Sequence, residues 1–133
     1  MSGEAFFDSN VLVYAYDGAD ARKQRIARGL IDVYSPVFSA QVLSEFYWVV
    51  TRKLAVPAAK AEAAVAKLRA FPVQPITAAL VAAAIHTARR HRLAYWDALI
   101  VEAAVGAGCS VLLSEDLATG SAIRGVMVAN PFA

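Results

Sequence analysis

Residues 5–13 have the sequence AFFDSNVLV, in which two apolar runs flank Asp8, Ser9 and Asn10. The first run predicts a buried strand over Ala5–Phe7 that ends beside Asp8, and the second predicts a turn into a helix. Short strands that alternate with helices form parallel sheets, because parallel neighbours need crossover connections. This stretch therefore predicts an α/β fold with an acid at the carboxyl end of its first strand.

The same alternation continues along the chain. Helices are predicted over residues 19–33, 40–54, 57–71 and 95–105, and from Thr77 to the basic cluster 89–92. Further strands are predicted over 37–39, 73–76, 110–113 and 126–129, the last as an edge strand. The expected architecture is a single domain, residues 1–133, with helices on both faces of a short, mostly parallel central sheet, a three-layer α/β/α sandwich.

Composition excludes several classes of protein. With 59% hydrophobic and 18% charged residues, the chain is not disordered. The apolar stretches at 78–85 and 103–113 are shorter than the roughly 18 residues of a membrane span.

The start Met1–Glu4 has no basic segment or cleavage-like site, which predicts a mature cytoplasmic protein. The lone Cys109 excludes a disulfide within the chain and is predicted to lie in the core.

Four of the eleven acidic residues lie in the most apolar segments of the chain: Asp8, Glu45, Asp97 and Asp116. Burying an isolated carboxylate is costly, so such an acid needs protonation, a basic partner or a metal ion. Few basic residues lie in these segments, and an all-oxygen ligand set suits Mg²⁺ or Mn²⁺. Any single acid of the four could instead be a helix cap, a turn residue or half of a salt bridge.

The predicted topology brings these acids together. Asp8 and Asp116 each follow an apolar strand, and ligands of open α/β sheets bind beyond the carboxyl ends of the strands. Asp97 lies near the start of its helix, and Glu45 adjoins the apolar face of another. Three polar residues could orient a carboxylate, a water or a phosphate, or could only cap the following helix: Ser9, Asn10 and Ser114. Glu115 is interpreted as a solvated turn residue.

These segments resemble the PIN-domain ribonucleases, in particular the VapC toxins of bacterial toxin-antitoxin pairs, over essentially the whole chain. The sequence FDSNVL at 7–12 resembles the first motif of the family, and Glu45 within VLSEF resembles the second. The sequence YWDALI at 95–100 closely resembles the third motif. LSEDL at 113–117 fits the last, a hydroxyl residue followed two positions later by an acid.

The resemblance implies a PIN-like fold and an Mg²⁺- or Mn²⁺-dependent endoribonuclease that leaves a 5′-phosphate and a 3′-hydroxyl. It implies that Asp8 and Asp97 are the principal metal ligands. Glu45 and Asp116 would bind through waters, orient the nucleophile or hold a second ion. It further implies a toxin of a type II toxin-antitoxin system, with an RNA substrate, a homodimeric state and a cognate antitoxin that covers the metals.

Other functions fit the sequence less well. A haloacid-dehalogenase-type phosphatase needs a second acid where this chain has Asn10, and a dinucleotide-binding domain needs a glycine-rich turn after the first strand. The alternative is a catalytically inactive PIN-like module that only binds RNA or an antitoxin. The basic groups at 22–28 and 89–92 could follow an RNA backbone or could be solvated helix faces. His86 and His91 adjoin no acidic motif.

Overall fold

A computed structural model describes residues 4–133 of the chain. Residues 1–3, on which the expectation of a mature cytoplasmic protein partly rests, lie outside the described residues. The described chain contains one six-stranded sheet with the strand order β3-β2-β1-β4-β6-β5. Its strands are β1 Glu4–Phe7, β2 Ser35–Ser39, β3 Val73–Gln74, β4 Val111–Leu113, β5 Ala122–Ile123 and β6 Val126–Ala129. All neighbouring strands are parallel except β5 and β6.

Six helices connect and cover these strands: α1 Ser9–Tyr14, α2 Ala21–Val33, α3 Ala40–Arg52, α4 Ala58–Leu68, α5 Ala78–His91 and α6 Tyr95–Gly106. Helices α1–α4 form one packed group, in which α1 contacts α2 and α3 and α3 contacts α4, and α5 packs along α6. The chain runs outward from β1 to β3 and then crosses back to β4, so right-handed crossovers place these two groups on opposite faces. The predicted α/β/α sandwich is confirmed.

Strand β1 is central because it is apolar throughout after its first residue. Ala5, Phe6 and Phe7 are fully buried. Phe6 lies beside Val37 of β2 on one side and beside Leu112 of β4 on the other. A strand buried on both faces must be apolar at every position rather than at alternate ones. The register then brings the residues that follow β1 and β4 to the same edge of the sheet.

Local sequence signals explain most element boundaries. The side chains of Asp20, Ser39 and Thr77 accept hydrogen bonds from the first turns of α2, α3 and α5, as N-caps do. Because Asp20 caps α2, this helix begins two residues later than predicted. Strand β3 is shorter than predicted because Pro75 has no amide hydrogen to donate to its neighbour β2.

The prediction that residues 126–129 form an edge strand is wrong. Strand β6 pairs with β4 on one side and with the two-residue strand β5 on the other, so β5 is the edge. A two-residue turn, Arg124 and Gly125, joins β5 to β6, and both residues have positive φ. Such turns match the twist of a hairpin. Arginine is an unusual residue in this conformation, so no strong turn signal marks this position in the sequence.

The core fills the space between the sheet and the helices, and Cys109 is buried in it, as predicted. Phe38, Phe46 and Val101 are fully buried members of this core from β2, α3 and α6. In residues 4–133, every helix is too short or too polar to cross a lipid bilayer. The packed core fixes the edge at which the four acids lie.

Candidate metal centre

Asp8 lies directly after β1 and is almost fully buried, with 7% of its surface exposed. Its amide donates to the carbonyl oxygen of Leu113 at 3.0 Å, which continues the pairing of β1 with β4. Its Oδ1 accepts from the amide of Ser9 at 2.7 Å, and its Oδ2 accepts from the hydroxyl of Ser114 at 2.7 Å. The carboxylate is therefore held in one orientation by two neutral donors.

Ser114 connects Asp8 with Asp116. Its side chain is fully buried just beyond β4, and its amide donates to the carbonyl of Ala129 at 3.1 Å. While its hydroxyl donates to Asp8, the same Oγ accepts from the amide of Asp116 at 3.2 Å. Ser114 is thus both a cap of the following turn and a donor to an acid of the site, the two roles that the sequence left open.

Glu45 reaches the same edge of the sheet from α3. Its Oε1 accepts from the hydroxyl of Ser9 at 3.2 Å, and its Oε2 lies 3.4 Å from Nε2 of Gln41, one helical turn earlier. Gln41 also lies 3.5 Å from the carbonyl oxygen of Trp96, the residue before Asp97. Gln41 is not among the residues predicted from sequence, although its position four residues before Glu45 places it on the same helix face.

Electrostatics connect all four predicted acids. Burial raises the pKa of Asp8 to about 6, although the hydrogen bonds from Ser114 and Ser9 act to lower it. Repulsion from Glu45 and Asp116 adds to the rise. The pKa of Asp97 is also raised, first by partial burial and then by repulsion from Asp116. The acids are close enough to disfavour one another's ionisation, which is the repulsion that a divalent cation relieves.

The chemistry of this donor set fits a hard divalent cation. Among residues 4–133, no arginine or lysine forms an ion pair with any of the four acids. Each oxygen of Asp8 accepts one hydrogen bond from a neutral donor and keeps a free lone pair. No three His, Cys, Asp or Glu side chains of the described chain converge into a preformed cluster. Mg²⁺ commonly binds with one or two carboxylates and several waters, so a looser arrangement suits it.

The interpretation of Glu115 as a solvated turn residue is wrong. Its carboxylate accepts from the hydroxyl of Tyr14 at 2.7 Å and forms an ion pair with Lys23 of α2. Its amide donates to Oδ1 of Asn10 at 3.2 Å. The hydrogen bonds from Lys23 and Tyr14 to its carboxylate lower the pKa of Glu115, although its partial burial acts to raise it. Glu115 therefore fixes the loop that carries Asp116, and its neutralisation by Lys23 leaves it unsuited to bind a cation.

Glu102 is a buried acid that the sequence analysis did not single out. Only 3% of its surface is exposed, and its Oε2 accepts from Arg124 at 2.9 Å and from Thr87 at 2.7 Å. Burial opposes ionisation here too, but these hydrogen bonds and the charge of Arg124 lower its pKa. Glu102 is a satisfied structural acid, which distinguishes it from Asp8.

The protein is an α/β domain with acidic residues at the carboxyl edge of its sheet. A family model described as the PIN domain matches residues 5–118, which include all four acids. The chain therefore belongs to the PIN domain family, as the sequence motifs predicted. A search of curated proteins found no match.

Several solved structures, among them a toxin-antitoxin complex and a toxin, have the same fold. A toxin-antitoxin complex from Klebsiella pneumoniae has a TM-score of 0.74 at 18% identity, covering 96% of this chain and 98% of the other. The sarcin-ricin-loop-cleaving toxin VapC20 from Mycobacterium tuberculosis has a TM-score of 0.67 at 21% identity, covering 82% and 87%. FitAcB from Neisseria gonorrhoeae has a TM-score of 0.62 at 18% identity, covering 96% and 98%. At these identities the likeness concerns the fold.

The raised pKa of Asp8 predicts that this acid destabilises the metal-free protein. Its folded-state pKa of about 6 exceeds the ordinary value of 3.8, so stability falls as pH rises through this interval. We expect Asp8→Asn to raise the free energy of unfolding at pH 8 in EDTA by at most about 3 kcal/mol, because Asn can accept only one of the two hydrogen bonds, and we expect the gain to shrink at pH 4.5. Urea unfolding at both pH values measures this.

Asp32→Asn, which removes the same charge from an exposed position of α2, is the matched control and should leave stability nearly unchanged. A wild-type protein as stable in EDTA at pH 8 as Asp8→Asn would contradict the cost assigned to Asp8.

The Lys23–Glu115 pair predicts a local effect on the loop that carries Asp116. In Lys23→Met, the Glu115 carboxylate loses its cation, so we expect faster hydrogen exchange at the amides of Glu115 and Asp116. Lys23→Arg should restore slow exchange. Arg124→Met breaks the ion pair between Arg124 and Glu102 and should leave these two amides unchanged. Equal exchange in all four proteins would show that Lys23 does not hold the loop.

Proposed function

We propose that the protein is an Mg²⁺- or Mn²⁺-dependent endoribonuclease and the toxin of a type II toxin-antitoxin pair. The observation that supports this most strongly is the buried Asp8 carboxylate, which has neutral hydrogen-bond donors, no ion pair within the described chain, and two acidic neighbours that raise its pKa. Membership of the PIN domain family and the toxin-antitoxin neighbours in structure support the same function.

In the proposed site, Asp8 and Asp97 would be the principal ligands of a divalent ion, with Glu45 and Asp116 bound through waters or holding a second ion. When bound, such an ion lowers the pKa of a coordinated water and stabilises negative charge on the attacked phosphate. Ser114 and the amide of Ser9 keep the Asp8 carboxylate in one orientation before the ion arrives. Such outer partners commonly tune metal affinity.

The substrate phosphate would lie in the hollow beside Asp116. This hollow has a volume of about 320 Å³ and is lined by Ser9, Asn10 and Asp116, among others. Nδ2 of Asn10 is buried and makes no hydrogen bond within residues 4–133, while its Oδ1 is fixed by the amide of Glu115.

The proposed partners are a cognate antitoxin and a second copy of this chain. Large apolar side chains are exposed near the site, including Trp48 at 57% and Trp96 at 63%. A groove of about 530 Å³ between α3 and α4 is lined by Leu43, Tyr47, Trp48 and Val65, among others. Exposed aromatic residues beside an apolar groove are typical of protein interfaces.

The alternative function is a PIN-like module that binds RNA or an antitoxin without cutting. It is the weaker proposal, because a protein that had lost catalysis would have no need of a buried acid that destabilises its metal-free fold. The repulsion among Asp8, Glu45 and Asp116 would then be an uncompensated cost.

Removal of the two principal ligands is expected to abolish cleavage. Asp8→Asn and Asp97→Asn should each lower the rate of RNA cleavage at least about 100-fold, and EDTA should have the same effect on the wild type. Cleavage of labelled structured and single-stranded RNAs in Mg²⁺, in Mn²⁺ and in EDTA measures this. Asp32→Asn is the control and should cleave normally. Cleavage that persists in EDTA and in both variants would exclude the proposed mechanism.

Ser114 is expected to act through Asp8. Ser114→Ala removes the donor to Asp8, so metal affinity should fall by about 10-fold or more. Ser114→Thr retains a hydroxyl and should restore part of the affinity. Titration of the metal-free protein with Mn²⁺, followed by calorimetry, measures affinity without depending on activity. Equal Mn²⁺ affinity in the wild type and in Ser114→Ala would remove Ser114 from the site.

A further inference from the structure

Helix α5 ends in a run of cations that the fold does not use. Arg89, Arg90 and Arg92 are exposed, and none of their guanidinium groups forms a hydrogen bond or ion pair within residues 4–133. His86 and His91 are exposed on the same helix. We call these five residues the α5 basic surface. Cations are favoured at the carboxyl terminus of a helix, but this preference does not explain why these arginines have no acidic partners.

Several cations elsewhere in the described chain are used by the fold. Lys23 pairs with Glu115, and Arg124 pairs with the buried Glu102. Arg22 and Arg28 of α2 donate to the carbonyl oxygens of Phe132 and Ala15, both at 2.9 Å. The basic group at 22–28 is therefore mostly structural. The arginines of the α5 basic surface keep their charges available for a ligand.

The α5 basic surface lies at the end of the molecule that carries Asp97. Helices α5 and α6 pack along each other, and only residues 92–94 connect them. The last turn of α5 therefore lies beside the first turn of α6, where Asp97 is placed. The end of α5, with Arg90 and Arg92, thus adjoins the end of α6 that carries Asp97.

The surface is also concave. Two hollows of about 320 and 360 Å³ share His86 and Arg90 as lining residues. Glu102 lines the first hollow, but Arg124 already neutralises it through hydrogen bonds of 2.9 and 3.3 Å. The hollows therefore present a net positive charge, which suits the phosphate groups of a nucleic acid.

We propose that the α5 basic surface binds the phosphate backbone of the RNA whose scissile bond enters the acidic site. This inference rests on the proposed function and names the surface that holds its substrate. The net charge of the chain is only +2, and the four acids of the site repel a polyanion. Local cations are therefore needed to bring RNA to that site, and interactions with the backbone give affinity without reading sequence.

The test measures RNA binding apart from cleavage. Fluorescence anisotropy of a labelled single-stranded RNA in EDTA, at several KCl concentrations, gives the affinity and its salt dependence. The double variant Arg89→Gln/Arg90→Gln should bind about 10-fold more weakly, with a salt slope reduced by roughly 0.7 for each phosphate that is no longer neutralised. The matched control, Arg25→Gln/Arg69→Gln, removes two exposed charges, one from α2 and one just beyond the end of α4, and should bind like the wild type.

Cleavage kinetics give the second readout. In Mg²⁺ the α5 double variant should raise KM several-fold and leave kcat within about twofold, since its residues do not touch the reacting atoms. Equal weakening in both double variants, or none in either, would overturn the inference. A protein that cuts RNA but binds it equally well without Arg89 and Arg90 would refute the role of the α5 basic surface and leave the proposed nuclease function standing. A protein that binds RNA through α5 and never cuts it would refute the nuclease function and leave the role of this surface standing.

Discussion

The carboxylate of Asp8 is buried between the ends of two parallel strands with no cation against it, and the rest of the site depends on this constraint. Two hydrogen bonds from Ser9 and Ser114 fix its orientation but offset only part of the cost of removing it from water. The backbone cannot relax to relieve this cost, because the amide of Asp8 continues the pairing of β1 with β4. The fold therefore maintains a carboxylate that is oriented, nearly dry and unneutralised.

A second buried acid of the same chain shows that this arrangement is not a general property of the fold. Glu102 is buried as deeply as Asp8, yet Arg124 and Thr87 satisfy it and its pKa is lowered rather than raised. Arg124 adopts a left-handed backbone conformation in the turn from which it reaches Glu102. The chain thus accepts local backbone strain to neutralise one buried acid and leaves the other without a cation, a difference that points to function at Asp8.

Much of this could be predicted from sequence because apolar strands and the acids that follow them are local signals. The parallel sheet and the positions of Asp8 and Asp116 follow from such signals, and the four predicted acids do influence one another electrostatically. Long-range pairings were not predictable: the bond between Lys23 and Glu115 joins residues 92 positions apart. Strand β5 was missed because it has only two residues and its turn begins with arginine. The catalytic roles of the acids stay predictions.

The distribution of charge follows from how the site must work. An acidic edge that binds a metal ion is, before the ion arrives, a poor place for a phosphate, and one divalent ion neutralises only part of four carboxylates. Cations placed within the site would compete with the metal for Asp8 and Asp97. In the proposed function, cations placed one helix away, at the end of α5, would attract the nucleic acid and leave those carboxylates free. Separating the two charges along the surface would therefore let the same small domain hold both a cation and a polyanion, as the proposed function requires.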